Sequence, residues 1–155
     1  MTTWIASLAY VGYTVGAVSC ALAALWIGSR GDAGRTDRMP AVVALALTAN
    51  WCFAAASFGP SRPIVELSEV ARNLAWLFML YRLFANDGRD ETLRLVRPTA
   101  IALVLVEILQ IALLLIARQN VPGTDLVAIF DTASLFRILV CVGALVLLHN
   151  LYVGA

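Results

Sequence analysis

Residues 99–117 read TAIALVLVEILQIALLLIA, nineteen positions with one charge, Glu107, and one amide, Gln110. An α-helix needs about twenty predominantly apolar residues to cross about 30 Å of hydrocarbon. Backbone polar groups cannot be left open to lipid, so a stretch of this kind has to be helical. Four further stretches of similar length surround it, at 4–28, 41–59, 63–85 and 126–152. Together they take up nearly all of a 155-residue chain that is 61% hydrophobic and 14% charged. A soluble domain of this size cannot bury so much apolar surface. The expected fold is all-α, a single membrane-embedded bundle of five antiparallel transmembrane helices.

Punctuation sets the boundaries. Pro40, Pro63 and Pro98 are expected in or beside first turns, where a missing N–H costs little. Gly59-Pro60, Asp87-Gly88 and Pro122-Gly123 mark turns, and Thr124-Asp125 can cap the fifth helix. Connections this short make successive helices antiparallel neighbours. Gly12-x-x-x-Gly16 in span one, continued by Ser19, Cys20 and Ala23, forms a stripe of small residues. So do Ala44, Thr48, Cys52, Ala55 and Ala56 in span two. Such stripes let helices approach closely, here within one chain.

All eleven basic residues are arginine, and they are unevenly placed. Arg30, Arg35 and Arg38 follow span one; Arg89, Arg94 and Arg97 follow span three, with Arg82 just inside it. The other side has Arg62 and Arg118. Arginine-rich short loops stay in the cytoplasm, so the N-terminus is expected outside and the C-terminus inside. Met1-Thr2-Thr3 lacks a basic leader region, so span one is expected to remain as a helix rather than be cleaved.

The totals exclude several function classes. A net charge of +1 gives no footprint for nucleic acid. Cys20, Cys52 and Cys141 lie in three different stretches without metal-ligand spacing, so no metal and no cofactor is expected. No phosphate-binding, nucleophile-elbow or zinc-protease motif occurs, and no catalytic residue is expected in these 155 positions. His149, the one histidine, stands near the inner end of span five with Asn150 and Tyr152.

What remains is the polar residues at bilayer depth, which are costly in lipid and usually face the bundle interior. Span three carries Glu66, Glu69, Arg72, Asn73 and Trp76 at helical spacing. Span four carries Glu107 and Gln110, one turn apart. Span five carries Asp131, Ser134 and Arg137. Rise along the helix places Arg137 and Glu107 both near mid-depth, and Arg72 and Asp131 in the outer third. The expected pairs are Arg137 with Glu107, and Arg72 with Asp131 or Glu69. Three readings stay open for Glu69, Arg72, Asn73, Trp76, Glu107, Gln110, Asp131, Ser134 and Arg137. They fix helix register, they line a polar cavity in which a ligand is sensed, or they conduct protons or ions.

Two stretches carry a family resemblance. ARNLAWLFMLYRLF at 71–84 resembles the third span of the membrane domain in exosortase (PEP-CTERM) system sensor histidine kinases. LLHNLY at 147–152 resembles the last turn before the cytoplasmic part of those kinases. Two positions depart from that pattern: His149, where the family more often has an acid, and Val153-Gly154, where it more often has Arg-Asn. The resemblance implies a bacterial inner-membrane input domain, dimeric through the full-length protein. It would act on a cytoplasmic response regulator in exopolysaccharide and protein-sorting control. The ATP site and phospho-accepting histidine would then lie beyond Ala155, and His149 is not the latter. The competing expectation is a small self-contained transporter or channel subunit, for which broken helices around a midplane site would be the mark.

Overall fold

The computed structural model describes residues 2–30, 38–86, 90–119 and 126–154. It is all-helical over these residues: α1 (Thr2–Ser29), α2 (Arg38–Phe58), α3 (Pro63–Asn86), α4 (Asp90–Arg118) and α5 (Leu126–Gly154). Arg35, Arg89, the Asp87-Gly88 and Pro122-Gly123 turns and the Thr124-Asp125 cap lie outside the described residues. Four helices are long and apolar enough to cross a membrane, over Trp4–Ser29, Arg38–Phe58, Arg97–Arg118 and Val127–Asn150. α3 has the length, but Glu66, Glu69, Arg72 and Arg82 lower its apolar character.

The α2–α3 connection is the clearest local structure. Gly59 ends α2 in the left-handed region at φ 83°, where a side chain would be strained. Its N–H donates to the Ala55 carbonyl at 3.1 Å, closing the last turn. Pro63 is the first residue of α3, as expected. The Arg62 carbonyl just before it accepts from Val65 and Glu66.

One boundary differs from the sequence expectation. Pro98 lies inside α4 rather than in its first turn, because the helix begins at Asp90. The segment 90–97 is too charged to read as part of a span, yet it is rich in good helix formers. The proline ring removes one N–H, so the Arg94 carbonyl loses its usual helical donor. The helix continues through the gap.

The chain divides into two compact units, Met1–Met79 and Leu80–Ala155. In the first, α1 and α2 form an antiparallel hairpin. Their contact is close because a β-carbon on Gly16 would lie 3.1 Å from the Cys52 thiol. A larger residue there would push that thiol back by a few tenths of an ångström, so Gly16 of the small-residue stripe packs inward. Gly12 meets nothing within 4 Å. At the other end of the hairpin an Arg38 N–H donates to the Gly28 carbonyl, satisfying an acceptor left open by the end of α1. Arg30 stacks 3.8 Å over the Trp26 ring. Val65 of α3 packs on Ala54 and Ala55 of α2, with Tyr13 and Trp51 against them.

In the second unit α4 packs on α5. The buried seam of α4 is Ala100, Leu103, Glu107, Gln110 and Leu114, at the three- and four-residue steps of one helix face. The seam of α5 contains Ala133, Val140 and Leu147, and Gly143 lies against Leu103. Elsewhere large apolar side chains are exposed, among them Leu8, Val11, Val15, Val18, Leu22 and Leu25 along one side of α1. Hydroxyls fold back into their own helices, as Thr14 does to Tyr10, Ser19 to Val15 and Thr132 to Ala128. That pattern satisfies polar groups without solvent.

Candidate functional site

Each unit holds one cluster of polar side chains among apolar helices. In the first unit it forms where α3 faces α2. Arg72 and Trp76 are four residues apart, so they share a side of α3. The two helices run antiparallel from the Gly59–Pro60 turn, which brings Thr48 and Trp51 of α2 to their level. The Arg72 guanidinium lies 4.0 Å over the Trp51 ring, a cation held on the negative face of an indole. Tyr13 of α1 supports the same ring edge-on, with centroids 5.6 Å apart and planes at 84°. Asn73 Oδ1 accepts from Arg72 Nε at 3.2 Å and Nη2 at 3.0 Å. Trp76 Nε1 donates to Thr48 Oγ1 at 2.9 Å, and that hydroxyl donates on to the Ala44 carbonyl at 2.7 Å.

Arg72 therefore meets an indole face and a neutral amide, two contacts that the sequence reading, which named Glu69 or Asp131, did not include. Charge spacing on one helix suggested a carboxylate. The neighbouring helix supplies an aromatic ring at the same level, and the adjacent Asn73 supplies an oxygen. Glu66 and Glu69 have polar interactions of their own. Trp51 was not among the residues singled out from the sequence. Its signal was positional: it stands seven residues before the end of α2, and Arg72 stands nine residues after the start of α3.

In the second unit Glu107 is 0% and Gln110 1% exposed, so both polar side chains lie within the α4 seam. The Leu103–Gly143 contact sets the register of α4 against α5. Counting from it along the two antiparallel helices, Arg137 falls between the levels of Glu107 and Gln110. It is offset along the axis by about 3 Å from the first and about 1.5 Å from the second. Arg137 is half-buried, and both it and Glu107 engage in polar interactions. Gln110 Oε1 is buried with no hydrogen-bond partner among the described residues.

Asp131 and Ser134 do not join this cluster. Both are exposed, and the Ser134 hydroxyl donates to the Phe130 carbonyl of its own helix at 2.9 Å. Steps of three residues fall short of a full turn, so from Asp131 to Arg137 the stripe drifts by about 120° around α5. Of the nine candidate residues, Arg72, Asn73 and Trp76 gather in one unit, and Glu107, Gln110 and Arg137 share a level in the other. His149 is exposed near the end of α5. The three thiols, Cys20, Cys52 and Cys141, are free.

No known family model, no curated protein and no solved structure matches this chain.

Proposed function

We propose that this chain is the membrane-embedded input module of a bacterial two-component sensor kinase, with five spans, N-terminus outside and C-terminus in the cytoplasm. In this reading it lies in the inner membrane, and α3 is the fifth span despite its charges. The observation that carries the reading is α5, a single helix from Leu126 to Gly154 with Arg137 level with the buried Glu107 and Gln110. A helix of that length passes through the bilayer and out on the inner side. Arg137 gives this helix a charge at mid-depth, level with two buried polar residues of α4, where a signal can bias how α5 packs. A ligand acts on such a module only through unequal affinity for two arrangements of it. The resemblance of residues 71–84 and 147–152 to exosortase-system kinases supplies the expected partners: a second copy, cytoplasmic kinase domains and a response regulator.

The natural reading frame tests the kinase part. Several hundred further residues in frame after Ala155 are expected, and a stop codon there overturns it. Reporter fusions test the topology. Positions Asp37 and Asp90 should read cytoplasmic, Ser61 and Gly123 periplasmic; reversed readings at both sets refute the orientation drawn from the arginines.

A further inference from the structure

Arg72 brings more hydrogen-bond donors to its cluster than the one Asn73 oxygen takes up. A guanidinium carries five N–H groups in a fixed fork. Asn73 Oδ1 takes the one on Nε and one on Nη2, which leaves three N–H groups outside this contact. The Nε1–H of Trp51, on the ring beneath the guanidinium, is buried and has no hydrogen-bond partner among the described residues. Trp76 and Thr48 form a separate chain, in which the indole N–H donates to the hydroxyl and the hydroxyl donates to the Ala44 carbonyl. An indole face and an amide oxygen stabilise a cation without cancelling its charge. A cation in apolar surroundings is costly until an anion matches it.

We propose that Arg72, with the Trp51 N–H beside it, binds a phosphate oxyanion, carried on a lipid headgroup or free in solution. Remaining donors on a planar fork match two oxygens of one phosphate. Arg72 stands nine residues into α3, about 14 Å from its Pro63 end, and Trp51 about 10 Å from the end of α2. A headgroup phosphate at the Gly59–Pro60 side of the membrane comes within reach of an arginine stem that extends toward that surface. Glu69, one turn closer to that side, raises the cost of a second negative charge. The favoured group is thus a phosphodiester with one charge. The proposal rests on the membrane placement in the reading above and names a ligand class for that module.

The test uses the purified full chain in neutral detergent micelles, with bound lipid counted by native mass spectrometry. Phosphatidylglycerol is titrated in one arm and inorganic phosphate in the other. One saturable phosphatidylglycerol is expected, weakened about tenfold by Arg72→Gln, the loss of a bidentate charged contact. Trp51→Phe keeps the ring under the cation and removes only the N–H, so a severalfold loss is expected there. Arg30→Gln removes the other indole-stacked arginine and should leave binding unchanged. Competition by inorganic phosphate means that the free ion suffices; absence of competition identifies the lipid as the source. Binding by Arg72→Gln within twofold of the unaltered chain overturns the proposal, as does an equal loss in Arg30→Gln. If Arg72→Gln does not fold, unchanged affinity in Trp51→Phe overturns it instead. None of these readouts involves kinase output, so the kinase reading and this site fail separately.

Discussion

Replacing Gly143 by alanine should destabilise the α4–α5 pair. A β-carbon at that position would lie 2.5 Å and 2.9 Å from the two Leu103 methyls and 3.1 Å from Leu103 Cγ. Carbon atoms settle at about 3.5–4.0 Å, so the added methyl has to displace the leucine by about 1 Å. Turning χ2 moves the methyls but leaves Cγ in place, and Leu103 is only 4% exposed. The Leu103 side chain therefore has to turn at χ1 within its packed surroundings, or the helices have to separate. Overpacking of this kind costs about 1–3 kcal/mol, offset by up to about 1 kcal/mol of better helix propensity for alanine. A net loss of about 1–2 kcal/mol is expected. Leu103→Ala alone should cost about 2–5 kcal/mol through the cavity that it leaves. In the double variant the new methyl occupies part of that cavity, and the loss should fall at least about 1 kcal/mol below the sum. Reversible unfolding in bicelles, followed by circular dichroism, measures all four corners of the cycle. Strict additivity, or a Gly143→Ala chain as stable as the parent, would refute the close approach.

Gly16→Ala should lower stability by about 1 kcal/mol because its methyl meets the Cys52 thiol, and Cys52→Ala should restore most of it. Gly12→Ala should be neutral or slightly stabilising in the same unfolding assay. Glu107→Gln and Arg137→Gln should each cost more alone than their combination suggests, by about 1 kcal/mol or more of coupling in a double-mutant cycle; additive losses would mean that these side chains do not interact.

Hydropathy and proline placement located four of the helices to within about three residues, because a helix that must fit lipid announces its length through composition. The start of α4 was hidden for the same reason. Hydropathy reports where a chain suits hydrocarbon, and residues 90–97 are helical without suiting it. Pro98 then resembled a beginning because prolines usually stand at beginnings. The polar residues of α4 were legible, since Glu107 and Gln110 lie on one face with Leu103 and Leu114. Arg72 was legible as a deep charge, but its partner was not. Periodicity fixes which side of one helix a residue occupies, and it is silent about what the next helix brings opposite. Comparing distances from the facing ends of α2 and α3 would have brought Trp51 forward. Asp131 and Ser134 were grouped with Arg137 by an i+3 rule whose angular error accumulates over two steps.

The contact between Gly143 and Leu103 also constrains how α5 can move against α4. Sliding by one turn would bring Val140 or Leu147 opposite Leu103, replacing a glycine by a branched side chain in a space already filled. A piston stroke of that size is sterically closed. Tilting about the contact keeps the glycine where it is needed, so this point acts as a fulcrum. It lies seventeen residues from Leu126 and eleven from Gly154, giving arms of about 26 Å and about 17 Å. A sideways displacement at the Leu126 end therefore reappears at the Gly154 end in the opposite direction, reduced to about two-thirds. On the Leu126 arm, about 9 Å from the fulcrum, Arg137 moves less than Asp131 or Ser134 and can keep its level beside Glu107 and Gln110 throughout the swing.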